Sequence, residues 1–159
     1  MRIFVLDADA AIKLAKAAML DHLVSFASCA MAKQAYDEAM RGKEKMYEDA
    51  FAIEKLAENG RIRLSAVEVE REEGLGLGEC ATLALFRKMK ADAIISDDRR
   101  FLSLLEGQEI PFMTSGDSIV LLARKRKISI VAADEALEAI RYLIREEQYQ
   151  FAKRMIGGK

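Results

Sequence analysis

Proline appears once in this 159-residue chain, at Pro111, and histidine once, at His22. The single proline, with no Ser/Gly-rich linker, low-complexity stretch or internal repeat, leaves no sign of a domain boundary. One domain over 1–156 with a short tail over 157–159 is the expectation, at a length normal for one domain. The two cysteines, Cys29 and Cys80, are far apart and form no CxxC. That excludes a disulfide scaffold and a cysteine metal site, and a reduced, cytoplasmic chain is expected. His22 lies in a polar stretch with no nucleophile pattern nearby, which takes away Ser-His-Asp and Cys-His chemistry. No run of 18 apolar residues occurs, so no membrane span is expected. Met1–Ala10 has no signal-peptide core, because Asp7 and Asp9 interrupt it. A surplus of either charge is missing too. With 25 basic and 26 acidic residues the net charge is −1, so any nucleic-acid contact must come from local patches.

What is present is 52% hydrophobic and 32% charged, the balance of a folded domain. Ile3–Leu6 is a continuous apolar run, as in a strand buried on both faces. Strands are also expected at Ser28–Met31, Ile62–Ala66, Ala93–Ser96 and Phe112–Thr114. Helices are expected over Ala10–Leu20, Ala32–Arg41, Lys45–Glu58, Glu79–Lys90, Arg100–Leu105, Asp117–Arg126, Ala133–Arg145 and Gln148–Met155. Apolar strands alternating with helices predict an α/β fold with a mostly parallel sheet covered on both faces.

In such a sheet, ligands bind beyond the carboxyl ends of the strands. Asp7 ends the first strand, and Asp97 with Asp98 ends a later one. Parallel strands would bring all three to one edge. Glu79 falls on the stripe of Leu83 and Phe86 at a helix start, where an unpaired carboxylate is costly but the helix dipole helps. Glu38 lies three residues after Ala35 and could face inward in the same way. Crowded carboxylates must take up protons or a cation. An all-oxygen set suits Mg²⁺ or Mn²⁺, and so phosphoryl chemistry.

Four segments resemble motifs of PIN-domain nucleases, of the toxin and small prokaryotic ribonuclease type. They are Phe4–Leu14 around Asp7, Ala35–Met40 around Glu38, Leu77–Ala84 around Glu79, and Ile94–Phe101 around Asp98, in family order. The resemblance implies a three-layer α/β/α sandwich and a metal-dependent ribonuclease acting on single-stranded or structured RNA. Asp7, Glu38, Glu79 and Asp98 would be the metal-binding carboxylates, with Mg²⁺ or Mn²⁺ as cofactor. Many members are toxins paired with an antitoxin. Asp97 stands beside Asp98 as a second candidate ligand, and the spacing from Ser96 favours Asp98. Asp9, where the family often has a small polar residue, adds negative charge. Asp9 and Ser96 are candidates for supporting the ligands, and Lys13, Lys43, Arg99 and Arg100 for contacting phosphates.

Plainer roles stand beside these. Asp7, Asp97 and Asp98 suit helix caps or turns, and Glu38 a solvated surface. Gly74–Gly78 lacks a phosphate-loop pattern and reads as a flexible connector. Arg124–Lys127 suits a helix C-terminus, His22 the surface, and Cys29 and Cys80 core filling. The helix from Ala133 has an apolar stripe for its own domain or for a second copy. Two other functions fit in part. Asp7-Ala8-Asp9 matches the opening of a haloacid dehalogenase-like aspartyl phosphatase, though no Gly-Thr follows. The other is a non-catalytic PIN-like scaffold that binds RNA or protein.

Overall fold

A computed structural model describes residues 1–44 and 47–157, with Lys43 and Glu44 described by backbone alone. The chain runs β1 (Ile3–Leu6), α1 (Ala8–Lys16), α2 (Leu20–Phe26), β2 (Ser28–Ala32), α3 (Lys33–Glu44), α4 (Glu48–Glu58) and β3 (Ile62–Ser65). It continues with α5 (Leu77–Met89), β4 (Ala93–Ile95), α6 (Arg99–Gly107), β5 (Phe112–Met113), α7 (Ser115–Arg124), α8 (Ile130–Ile140) and α9 (Glu146–Ile156).

All strand pairs are parallel, in the order β3-β2-β1-β4-β5. This is the expected α/β sandwich. The apolar run of β1 makes it the central strand, with Phe4, Val5 and Leu6 buried on both faces. From β1 the chain first builds outward to β2 and β3, then returns to the other side of β1 for β4 and β5. The order therefore reverses between β1 and β4, which is where an open sheet forms a ligand crevice at its carboxyl edge. Leu6 pairs with Ile95 there, and the Asp7 N–H extends the ladder to the Ile95 carbonyl at 3.1 Å.

Two cores hold this frame. The larger fills the space around β1 and β2, with Leu14, Leu23, Met31, Ile53, Leu137 and Ile140 among its members. The smaller joins Leu75, Cys80, Leu83, Ile94, Phe101, Leu102 and Leu105, and so fastens α5, β4 and α6 to one another. His22 is exposed, while Cys29 and Cys80 are buried free thiols. Among the described residues no helix is long and apolar enough to cross a membrane.

Two helices are interrupted where composition predicts continuity. The run Ala10–Leu20 becomes α1, starting at Ala8, and a separate α2. Between them Ala18 adopts a left-handed φ of 57°. The Met19 N–H bonds the Leu14 carbonyl and the Ala18 N–H that of Ala15, which closes α1 in the manner usually made by glycine. Likewise Ala133–Arg145 is α8, starting at Ile130, followed by a 3₁₀ turn at Arg141–Leu143. The turn leaves Tyr142 exposed and lets α9 fold back onto α7 and α8. The expected helix over Lys45–Glu58 is seen from Glu48; residues 45 and 46 lie outside the described residues, as do 158 and 159 of the expected tail.

Phe101 is fully buried in the smaller core. Phe101→Ala is expected to lower unfolding free energy by about 3–5 kcal/mol in urea titration, whereas Tyr142→Ala should stay within about 0.5 kcal/mol.

Candidate active site

Asp7 leaves the end of β1 and caps α1: its Oδ1 accepts the Ala10 N–H at 2.8 Å. Its other oxygen accepts the Ser96 hydroxyl from the end of β4. That hydroxyl also accepts the Asp98 N–H at 3.2 Å, so Ser96 joins the two acidic turns. Asp98 in turn caps α6, with Oδ1 accepting the Phe101 N–H at 2.8 Å. On α5, Glu79 reaches back so that its Oε1 accepts the Gly76 N–H at 3.1 Å. Three of the acids are thus each held by the first turn of a different helix. Glu38 comes from α3. All four line one cleft of about 220 Å³ at the carboxyl edge of the sheet, together with Ala8, Asp9, Gly76 and Gly78.

The position of the Glu38 carboxylate against α5 depends on a glycine. A β-carbon at Gly78 would collide with Glu38 Oε2 and lie 3.6 Å from the Ala35 Cα. Gly78 is not part of a loose connector, as its surroundings in sequence suggest. It stands in the first turn of α5, buried, with its carbonyl accepting the Thr82 hydroxyl at 2.8 Å.

Burial dominates the electrostatics. It pushes the Asp7 carboxyl up to about 7, and Asp9 and Asp97 push the same way, against the hydrogen bonds from Ser96 and Ala10. The Glu79 carboxyl is also raised, first by burial. The Gly76 N–H opposes this, while repulsion from Asp98 and Glu38 and a hydrogen bond to Asp98 add to it. The N-termini of α1, α5 and α6 bring partial positive charge to the cleft and offset part of the crowding. Among the described residues no three such side chains are drawn together closely enough to hold an ion. The residues present nevertheless fit a hard dication. The donors are all carboxylate oxygens, two are raised above their ordinary range by burial and by neighbouring carboxylates, and Gly78 leaves room for the Glu38 carboxylate that a side chain would take.

The remaining candidates are placed differently. Asp97 faces away from the cleft and is not positioned as a ligand. Its Oδ1 accepts the Ser115 N–H at 2.8 Å and Gln148 Nε2 at 3.0 Å, and its Oδ2 accepts the Ser115 hydroxyl at 2.7 Å. Successive residues in an extended turn point to opposite sides, so Asp98 and Asp97 part company. Lys13 is not a free phosphate contact. Its Nζ sits 2.8 Å from Asp9 and 3.4 Å from Asp97, with its side chain only 12% exposed. Asp9 is therefore at the rim of the cleft but turned to Lys13. Arg100 donates to the Gly74 carbonyl at 3.4 Å and steadies the loop before α5, while Arg99 is exposed beside Asp98. The Lys43 side chain lies outside the described residues. Ser115 and Gln148 have no local signal in sequence, because their role is to satisfy Asp97 across 18 and 51 residues.

A family model described as a PIN domain matches residues 3–156. No curated protein and no solved structure matches the chain.

The sign of the Asp7 effect on stability is set by its raised value. The folded chain holds this proton more tightly than the unfolded chain, whose ordinary value is 3.8. The stabilisation is complete below about pH 4 and is lost as pH rises through about 7. In EDTA, stability should fall by a few kcal/mol across that window, at about 1.4 kcal/mol per unit, and Asp7→Asn should flatten it. Asp97→Ala should cost about 2–5 kcal/mol in urea unfolding, because it strands Ser115, Gln148 and Lys13. Asp98→Asn keeps a good helix cap and should cost less than about 1 kcal/mol.

Proposed function

Since the chain belongs to the PIN-domain family, a nuclease fold, we propose that it is a ribonuclease dependent on Mg²⁺ or Mn²⁺. One observation carries this: Asp7, Glu38, Glu79 and Asp98 line a single cleft at the point where the strand order reverses. These four would hold the cation. When bound, it neutralises charge on the scissile phosphate and lowers the pKa of water at the site.

The chain's own residues supply the rest. Ser96 and the Ala10 N–H keep Asp7 in place and reduce the freedom of its carboxylate. The Phe101 and Gly76 N–H groups do the same for Asp98 and Glu79. Glu79, raised by burial from its ordinary carboxylate range, would take the proton of the attacking water. That water's oxygen bonds to phosphorus as the bond to the leaving ribose oxygen breaks, and the leaving oxygen takes its proton from solvent. Arg99, exposed next to Asp98, would contact a flanking phosphate. The substrate in this proposal is RNA. Where the chain acts as the toxin of a pair, its protein partner is an antitoxin. The phosphatase alternative loses ground on one feature: α1 begins at Ala8, and Asp9, the second acid of the Asp-x-Asp pair, lies within it and pairs with Lys13.

Labelled single-stranded RNA should be cleaved with Mn²⁺ and left intact with EDTA. Asp7→Asn and Asp98→Asn should each lower the rate by about a hundredfold or more. Gly78→Ala should weaken Mn²⁺ binding by calorimetry while the chain stays folded. Turnover of p-nitrophenyl phosphate without RNA cleavage would instead support the phosphatase. Mn²⁺ binding with neither activity would support a scaffold.

A further inference from the structure

Asp9 lines the same cleft as the four acids but is held in a different way. It lies in the first turn of α1, just after the Asp7 cap. Its Oδ2 stands 2.8 Å from Lys13 Nζ, one turn along the helix. That ammonium is itself anchored 3.4 Å from the buried Asp97. Lys13 therefore fixes Asp9 at the rim. Its other oxygen, Oδ1, has no hydrogen bond or ion pair among the described residues, and the side chain is 58% exposed. The cleft wall beside it includes Ala8, Gly76 and Gly78, which add little or no side chain. A carboxylate oxygen accepts hydrogen bonds and donates none. At the rim of a site for phosphate it repels the phosphate, so the partner it suits is a hydroxyl carried close to that phosphate.

We propose that Asp9 reads the sugar: its Oδ1 accepts the 2′-hydroxyl of the nucleotide bound beside Asp7 and so selects RNA over DNA. This role depends on the nuclease function proposed above and names the group by which the substrate is told apart. The 2′-hydroxyl is the donor that ribose has and deoxyribose lacks. An acceptor already fixed by Lys13 loses little freedom on making the bond. Lys13 also offsets the charge of Asp9, which limits repulsion of the strand. Bound deoxyribose would displace water from Oδ1 and return no hydrogen bond, and a site built to meet a hydroxyl discriminates on that ground. An i, i+4 pair that merely steadied α1 would show no dependence on the sugar.

The test compares strands of one sequence in Mn²⁺: RNA, the same strand with fluorine at every 2′ position, and DNA. Fluorine keeps the RNA-like sugar pucker and removes the donor. The wild-type chain should cleave RNA with kcat/KM about tenfold or more above the fluorinated strand, and above DNA as well. Asp9→Asn turns its amide oxygen to Lys13 and offers an N–H to the sugar. In that variant, and in Asp9→Ala, the ratio of RNA to fluorinated strand should fall to within about twofold. Calorimetry should show Mn²⁺ binding retained in both variants, and circular dichroism the fold. If the wild-type chain cleaves RNA and the fluorinated strand alike, the proposal is overturned while the nuclease function stands. A ratio that survives in both variants would overturn it too. So would a loss of Mn²⁺ binding in Asp9→Ala as complete as in Asp7→Asn, which would make Asp9 a cation ligand. A chain that cleaves none of the strands removes the nuclease function and this role with it.

Discussion

Asp7 is a carboxylate buried where two central strands end, and the geometry around it follows from making that tolerable. Burial alone pushes the group toward its protonated form. The Ser96 hydroxyl and the Ala10 N–H pull it back. Serving both Asp7 and the Asp98 backbone, Ser96 locks the β1 and β4 turns together, and Asp98 inherits its position from that bridge. The cleft therefore concentrates negative charge at a place with few ways to relieve it. Helix N-termini relieve part. A proton relieves the rest, as a hard cation would in the function proposed above.

The neighbouring pair Asp97 and Asp98 shows how one turn serves two purposes. Asp98 caps α6 and faces the cleft. Asp97 turns inward and receives Ser115 from α7 and Gln148 from α9. The C-terminal helices thereby bear on the turn that presents Asp98. Lys13 completes the arrangement by bridging Asp97 to Asp9 on α1. Phe101, buried three residues after Asp98, anchors the opposite side of the same turn in the smaller core.

Much of this was legible in the order of residues. Apolar runs, with the alternation at Ile62–Ala66, locate the five strands among the described residues, and Asp7 and Asp98 are visible as strand-end acids. Glu79 betrayed itself as a charge on an apolar stripe. The failures have physical causes. The break after Lys16 depends on Ala18 taking a left-handed conformation, which nothing in an Ala-rich run announces. The end of α8 is decided by where α9 must pack. Lys13 and Arg100 look like free cations until their partners, Asp9 with Asp97 and the Gly74 carbonyl, are seen to stand beside them. Gly78 looks like loop glycine until Glu38 is found against it.

Sequence alone determined most element types and the parallel sheet, and it narrowed the chemistry proposed for the cleft. These rest on periodicity, on apolar runs and on the scarcity of histidine and cysteine, all local or compositional properties. Tertiary structure alone decided which of two adjacent aspartates faces the cleft, which cations are already neutralised, and which glycine makes room for a carboxylate. Each of those depends on a partner distant along the chain. Burial and pairing are properties of the folded surroundings, which no window of neighbouring residues contains.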